Sequence, residues 1–157
     1  MKITALEEYG LRCLLRVAEQ EDGEAIPAQV IAEKEGLSLP YTQKILRILS
    51  LGGLVDSRRG AQGGFYLASS AEEISLGDAM RVLGGMLTIE DICERHTGEL
   101  RVCNNQCDCS IRPVWLHISN FLIATLDGIS LSLLVNDERT VARHLKGVRE
   151  AYSIAHL

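Results

Sequence analysis

The sequence predicts a mainly α-helical fold with one small β-hairpin, and three observations predict it. Two short helical segments are joined by a tight, glycine-containing turn, and two short strand-like runs follow them around a second glycine-rich turn. A strongly amphipathic helical segment begins later in the chain at Pro113. Helices and hairpins differ in the spacing of their apolar residues, so the sequence distinguishes the two kinds of element and gives their order along the chain.

The first helix is predicted over residues 3–20. Thr4 and Glu7 have the spacing of a capping box, in which each residue's side chain satisfies a backbone N–H of the other. Apolar and small residues then recur at helical spacing, so that one face can be buried. These are Leu6, Tyr9, Gly10, Cys13, Leu14 and Val17.

Two further helices and a hairpin follow. Pro27 opens the second helix, which stops at Gly36, and Ser38 is the expected N-cap of the third. The third helix has an apolar stripe and ends at Gly52 and Gly53; the stripe comprises Ile45, Leu46, Ile48 and Leu49. The runs LVDSRR and GGFYLA are joined by residues 59–63 and predict the hairpin. Together these elements predict a winged helix-turn-helix.

The rest of the chain is predicted to support this module. Residues 74–78 start a capped helix that runs to Leu83, and Pro113 opens the amphipathic helix, which Asp127 and Gly128 end. Residues 129–131 begin a short helix and repeat the Ile-Ser-Leu signature of residues 74–76. We therefore expect a DNA-binding domain at 1–84, a cysteine-rich loop at 85–110, a long helix with a short one at 111–137, and a weakly helical, frayed tail at 138–157.

The composition is that of a globular protein outside the membrane. The chain has 157 residues, of which 46% are hydrophobic and 24% charged, and it suits one compact domain with an extra element. No apolar run reaches the roughly 20 residues that span a bilayer. The first four residues lack the apolar core of a signal peptide. We expect a cytoplasmic protein without membrane partners.

Charge is unevenly distributed along the chain. The net charge is −5, but residues 38–64 carry four cations against one anion, a local balance of +3. Residues 69–110 carry eight anions against three cations, a balance of −5. A locally basic module therefore precedes an acidic one, and the basic module is the predicted helix-turn-helix.

The third helix is the predicted recognition helix, whose first turns reach base edges in the major groove. Gln43 can pair bidentately with adenine, and Lys44 and Arg47 can reach guanine or phosphate. An arginine of the wing can enter a narrow minor groove. The candidate DNA-binding residues are Ser38, Pro40, Tyr41, Gln43, Lys44, Arg47, Arg58, Arg59 and Gln62. Winged helices also mediate protein contacts, which leaves that alternative open at this point.

Four of the five cysteines lie within 17 residues, in a polar segment with little to bury. They are Cys93, Cys103, Cys107 and Cys109, whereas Cys13 stands alone in the first helix. A bound metal or cluster could order such a segment, and thiolates select zinc, copper(I) or iron–sulfur clusters. Intervals of nine, three and one residues fit the paired spacing of zinc sites poorly. Four thiols in so short a stretch argue against plain surface cysteines.

Across nearly its full length the chain resembles the IscR, NsrR and RirA family of iron–sulfur winged-helix regulators. The resemblance is carried by ITALEEYGLRCL, PAQVIAEKEGLSLPYTQKILRIL, RRGAQGGFYLA, ISLGDAMRVL, the cysteine loop and SNFLIATLDGISLSLLV. It implies a DNA-binding repressor that acts as a homodimer on a palindromic operator. The family pairs through a long helix that matches residues 113–126 here.

The same resemblance implies the cluster ligands. Family members commonly space three cysteines C-x5-C-x5-C, with a tryptophan six residues beyond the last. Cys103, Cys109 and Trp115 keep that register, so Cys93 resembles the first ligand displaced by a four-residue insertion. Cys107 is an addition to the family's three-cysteine pattern. It could replace Cys103 as a ligand, supply a fourth thiolate, or be a bystander that does not bind the cluster.

The fourth ligand differs among family members. Arg112 stands where some carry a ligating histidine, whereas others use a carboxylate of the first helix, donated across the dimer, and Glu8 matches that position. The alternative interpretation is that Glu8 is simply an exposed carboxylate of the first helix. A weakly held carboxylate implies a sensing mechanism in which loss or change of the cluster releases Glu8 and shifts the helix-turn-helix.

These ligands imply an iron–sulfur cluster, with [2Fe–2S] slightly favoured over [4Fe–4S]. The alternative is a zinc- or thiol-based winged-helix regulator or interaction module without such a cluster. No enzyme and no small-molecule substrate are expected, because no phosphate-binding loop or general-base constellation is evident.

Overall fold

A computed structural model describes residues 3–21, 23–60, 63–85 and 108–155, together with residues 93, 94, 97, 99, 103 and 105, and side chains as far as residue 147. It confirms the predicted mainly helical fold with a small hairpin. The elements are α1 Ala5–Ala18, α2 Ala28–Glu35, α3 Leu39–Leu51, β1 Val55–Arg58, β2 Gly64–Leu67, α4 Leu76–Leu83, α5 Arg112–Asp127, α6 Leu131–Leu134 and α7 Glu138–Ala155.

Helix α1 begins at the predicted capping box. The Thr4 hydroxyl accepts from the Glu7 backbone N–H at 3.3 Å, and the Glu7 carboxylate accepts from the Thr4 N–H at 2.8 Å. Two of the backbone donors at the start of the helix are thereby satisfied. The inner face of α1 is buried, with Cys13, Leu14 and Val17 at most 2% exposed. This face forms one wall of the hydrophobic core.

Helices α2 and α3 have the predicted helix-turn-helix order. Gly36 ends α2 with a positive φ of 66°, a conformation that glycine adopts without a Cβ clash. Ser38 is the N-cap of α3, but its side chain makes no capping hydrogen bond there. Ile45, Leu46 and Leu49 are completely buried, as the apolar stripe predicts. The opposite face of α3 is left free for contacts outside the domain.

The wing is an antiparallel pair whose register aligns Val55 with Leu67 and Arg58 with Gly64. A short stretch before α2 adds to it, because Ile26 and Phe65 exchange two backbone hydrogen bonds of 2.9 Å. A Cβ atom on Gly64 would overlap the Ile26 carbonyl, so this close approach requires glycine. The sequence pattern did not predict this pairing of the Ile26 segment with the hairpin. It fixes the wing to the helix-turn-helix.

Helix α4 starts at a second capping box, formed by Ser75 and Asp78, and ends at Gly84 as predicted. The two Ile-Ser-Leu segments lie side by side, with Ser75 and Ser130 in an antiparallel β-bridge. Ser130 also caps α6, since its hydroxyl accepts from the Leu133 N–H. Their shared signature thus has one structural meaning: each segment caps a helix and pairs with the other.

Residues 138–157 were expected to form a weakly helical tail, and the structure has α7 there, from Glu138 to Ala155. The overlooked start signal is Asp137, whose carboxylate accepts from the backbone N–H groups of Arg139 and Thr140 at 2.9 and 3.1 Å. Within the described part of the chain, no helix is both long and apolar enough to cross a membrane.

A clamp of opposite charges joins α1 to α2. Glu35, whose side chain is 2% exposed, receives hydrogen bonds of 2.5 Å from the guanidinium groups of both Arg12 and Arg16. Burial alone would raise the pKa of this carboxyl group, but the two arginines outweigh it and the pKa lies below its usual value. The carboxylate is therefore held ionised at the base of the domain.

The clamp predicts an acid sensitivity that Glu35→Gln should reduce. A depressed pKa in the folded state stabilises the protein fully above about pH 4.5, and this contribution is lost as the pH falls through the folded-state value. At pH 7 we expect Glu35→Gln to lower the free energy of unfolding by about 1–3 kcal/mol. Urea unfolding of the wild type and of Glu35→Gln between pH 3 and 7 measures how the free energy of unfolding of each protein depends on pH.

The difference between the two curves isolates Glu35, because Asp78 and Asp137 also have lowered pKa values and remain in both proteins. The gap should narrow steadily below pH 4.5. A gap of constant size over the whole pH range would mean that the charge of Glu35 contributes nothing to folding.

Candidate nucleic-acid interface and cysteine segment

The outer face of α3 presents polar and basic side chains to solvent. Gln43, Lys44 and Arg47 are exposed, while residues one turn away on the other side of the helix form the core. Ser38 and Pro40 are exposed at the start of the same helix. The structure therefore exposes five of the six candidates of this helix to solvent.

Tyr41 differs from the other candidates on α3. It is half-buried and packs against the core. Its ring meets that of Tyr9 edge to face, with centroids 6.2 Å apart and planes at 86°. Tyr9 in turn lies under the guanidinium carbon of Arg12, 5.6 Å from the ring centroid. Tyr41 thus joins the recognition helix to α1, a role that spacing along α3 alone did not reveal.

The wing carries the second basic group. Arg58 and Arg59 are exposed, and the Arg58 guanidinium carbon lies 5.2 Å from the centroid of the Tyr66 ring on the paired strand. Both arginines line a recess between the wing and the residues before α2, which Glu24 and Gly60 also line. Glu24 was not among the predicted site residues. Gln62, the remaining wing candidate, lies outside the described residues.

The cysteines fall into two environments. Cys13 is completely buried, and burial, with a smaller contribution from Glu35 against Arg12, raises the pKa of its thiol to about 11. Cys93, Cys103 and Cys109 are half-buried and free of disulfide bonds. Of the four cysteines that the structure describes, the second set is therefore the one accessible for ligation. Cys107 lies outside the described residues.

The predicted ligands that the structure describes are not gathered into one group. Among the residues that the structure describes, no three His, Cys, Asp or Glu side chains form a group that could hold a metal ion. Glu8 is exposed on α1, whereas its neighbour Glu7 is buried in the capping box. Of these two adjacent carboxylates, Glu8 is thus the one directed away from its own domain.

The cysteine segment is tied to α5 at its end. The backbone N–H of Arg112 donates to the Cys109 carbonyl at 3.2 Å, and its guanidinium donates to the Asn105 carbonyl at 3.3 Å. Arg112 therefore holds backbone on both sides of Asp108. This use fits a residue that cannot itself ligate a metal.

Helix α5 exposes an apolar face over most of its length. Val114, Ile118 and Phe121 are 51%, 42% and 49% exposed, and Trp115 beside them is 40% exposed. Ser119 is its one buried residue. Exposed apolar side chains repeated at helical spacing form a contiguous patch, and such patches mark association surfaces.

The two cysteine environments predict different thiol reactivities. In native metal-free protein at pH 8, an iodoacetamide pulse should label Cys93, Cys103 and Cys109 within minutes, since these residues are only half-buried. Cys13 should be labelled only in denaturant, because it is buried and its pKa is about 11. Peptide mass spectrometry reads each site. Labelling of Cys13 in the native protein at the rate of the others would contradict the assigned burial.

Comparison with known proteins identifies the architecture. A family model described as "Rrf2: Iron-dependent Transcriptional regulator" matches residues 3–137. Protein rrf2 of Nitratidesulfovibrio vulgaris is 30% identical over 137 residues, covering 87% of this chain and 89% of that protein.

Two solved structures have the same fold. The IscR structure from T. potens matches with a TM-score of 0.65 at 30% identity, covering 96% of this chain and 90% of that one. CymR, the global cysteine regulator of B. subtilis, matches with a TM-score of 0.69 at 27% identity, covering 87% of this chain and 99% of that one.

These likenesses confirm the resemblance first suggested by the sequence motifs. The matched family model covers the helix-turn-helix, the wing, α4, α5 and α6, and its description is that of a transcriptional regulator. The exposed polar face of α3 and the exposed arginines of the wing are compatible with that description. The chain belongs to the Rrf2 family and is a DNA-binding transcriptional regulator.

Proposed function

We propose that this regulator senses an iron–sulfur cluster, held mainly by Cys93, Cys103 and Cys109. The observation that carries the proposal is the contrast between these accessible, unpaired thiols and the sealed thiol of Cys13. The family model's description as iron-dependent supports it. Thiolates are the ligands that iron–sulfur clusters prefer, so the donor chemistry of the segment fits the group.

Glu8 of a second protomer is the proposed fourth ligand. It is exposed on α1, where its carboxylate is available to a second chain, and it matches the position at which the family resemblance implies a carboxylate ligand. Cys107 is the competing candidate for the fourth ligand. A cluster bound there, [2Fe–2S] slightly favoured over [4Fe–4S], would supply a centre whose integrity depends on iron supply and oxidants.

The residue that follows Glu8 in α1 contacts the recognition helix. Tyr9 follows Glu8 in α1, and its ring packs edge to face on Tyr41 in the first turn of α3. A displacement of this part of α1 therefore reaches the recognition helix through packed side chains. Such a contact is what a ligand-controlled change of DNA affinity needs.

The proposed assembly is a homodimer that represses transcription from a palindromic operator. The apolar patch of α5 is the proposed seam, since two identical copies can cover each other's patches across a two-fold axis. Each copy then presents one α3 to the DNA, and the symmetry of the protein matches a palindrome.

The cluster proposal predicts a brown protein after anaerobic purification, with stoichiometric iron and acid-labile sulfide and with absorption that oxygen bleaches. Cys93→Ala, Cys103→Ala and Cys109→Ala should each abolish the absorption. Glu8→Ala should leave a cluster that oxygen destroys faster, because a weak ligand has been removed. Visible absorption and metal analysis measure these effects.

Matched variants separate ligation from general damage. Cys107→Ala and Cys13→Ala should retain the absorption, the latter with a stability loss of about 1 kcal/mol for the truncated core side chain. Glu19→Ala, which removes another exposed carboxylate of α1, should behave as wild type. A colourless protein with stoichiometric zinc, or one without metal, would contradict the proposal and favour a zinc- or thiol-based regulator, to which the likeness to the cysteine regulator CymR also points.

The proposed DNA contacts predict two distinguishable defects. Arg59→Ala should weaken binding to all sequences and lower the slope of log K against log salt by about one, because one phosphate contact is lost. Gln43→Ala should cost about 1–3 kcal/mol at one base pair and relax the preference there. Fluorescence anisotropy with an operator selected from random DNA measures both.

Arg143→Ala, which removes an exposed cation of α7, is the control for general charge and should change neither property. If both Arg59→Ala and Gln43→Ala bound DNA with wild-type affinity, salt dependence and preference, the assigned docking surface would be wrong.

A further inference from the structure

We propose that the joint between α4 and α5 sets the spacing between the two operator half-sites that the regulator accepts. The joint consists of Gly77 and Arg81 on α4, Asp127 at the end of α5, and the Ser75–Ser130 bridge. This inference rests on the proposed dimer, because it makes α5 the element that relates one recognition helix to the other.

The DNA-reading side of the joint is rigid. Helix α4 contributes Ala79, Met80 and Leu83 to the buried interior, each at most 4% exposed. It contacts both α1 and α3. The orientation of α4 is therefore the orientation of the recognition helix.

Backbone pairing fixes the other side of the joint. The Leu76 N–H donates to the Ile129 carbonyl at 2.7 Å, and the Leu131 N–H donates to the Ile74 carbonyl at 2.8 Å. Ile74, Ile129 and Leu131 are buried around this pairing. The chain leaving α5 is thus held against the chain entering α4 and cannot slide along it without breaking paired bonds.

A salt bridge between side chains fixes the angle between α4 and α5. One terminal nitrogen of Arg81 lies 2.6 Å from both carboxylate oxygens of Asp127, and the other lies 3.0 Å from Asp78 on its own helix. The side chains of Arg81 and Asp127 are 43% and 39% exposed, so this pair contributes little to stability. Its contribution is geometric, because a planar guanidinium held from two sides fixes where the end of α5 lies.

Gly77 makes the close approach possible. A Cβ atom there would overlap Oδ1 of Asp127. Alanine at this position would therefore push the Asp127 carboxylate away from Arg81. Gly77 lies inside α4 with an ordinary helical backbone, where alanine is otherwise favourable for helix formation. Gly77→Ala thus disturbs the joint without weakening the helix.

Small rotations at this joint have consequences on the scale of DNA. The 16 residues of α5 extend about 24 Å from it. A rotation of about 10° moves the far end of such an arm by roughly 4 Å, close to the rise of one base pair. A joint that holds its angle to within a few degrees therefore distinguishes half-sites that differ by a single base pair in separation.

The test uses an operator selected by the wild-type protein from random DNA and versions with the centre lengthened or shortened by one and two base pairs. Dissociation constants are measured for wild type, Gly77→Ala, Asp127→Asn and Arg81→Gln. Wild type should prefer one spacing by about tenfold or more over its neighbours, a discrimination comparable to that of a mismatched base pair. The three variants should flatten that preference to about threefold or shift its optimum.

Controls separate the joint from other effects. Glu19→Gln removes an exposed arginine–carboxylate pair within α1, and it should keep the wild-type spacing profile. Affinity for a single half-site should stay within about twofold in all variants, because the recognition surface is untouched. Thermal unfolding should show that Gly77→Ala is folded.

Unchanged spacing profiles in folded, dimeric Gly77→Ala and Asp127→Asn would overturn the inference and leave the proposed function standing. A wild-type protein that sediments as a monomer, or binds one half-site as tightly as the palindrome, would instead overturn the proposed dimer and this inference with it. Analytical ultracentrifugation distinguishes the two cases.

Discussion

Burial of one face of α1 is the constraint on which the rest of the structure depends. Cys13, Leu14 and Val17 are sealed on this face, and the helix contacts α2, α3, α4, β2 and α6. Hydrophobic burial fixes the position of α1, and the Glu35 clamp to Arg12 and Arg16 fixes its rotation relative to α2. The same helix carries Glu8 and Tyr9 on its other faces. A helix that holds the core together is thereby also in contact with the recognition helix.

Local signals predicted most of the fold. The capping residues Thr4 and Ser75, the apolar stripe of α3 and the turn between β1 and β2 are short-range features whose physics is complete within a few residues. Asp137 was a signal of the same kind and was overlooked, so α7 was expected to be a tail. The Ile26–Phe65 pairing and the Arg81–Asp127 bridge join residues 39 and 46 positions apart. No periodic pattern in the sequence predicts such contacts.

The candidate DNA-binding surface and the cysteine segment could be predicted from the sequence to different extents. Exposure of Gln43, Lys44 and Arg47 follows from the helical period once the buried face is known, whereas the packing of Tyr41 on Tyr9 depends on how two helices meet. The division of the thiols follows partly from sequence, because Cys13 lies in an apolar stripe and Cys93, Cys103 and Cys109 lie in a polar segment. A ligand set shared between two copies cannot be read from the geometry of one.

The strand-like pairing of Ile26 with Phe65 bears on how the protein meets a duplex. The wing is hydrogen-bonded to the chain entering α2, so its strands and the recognition helix are joined into one unit. In the proposed docking mode, the distance between the major-groove contacts and the wing contacts would then be set by the protein. The duplex would have to bend, or narrow its groove, to meet both surfaces, and the energy of that deformation depends on base steps the protein never touches. On that proposal, the attachment of the wing makes DNA flexibility part of what the protein recognises.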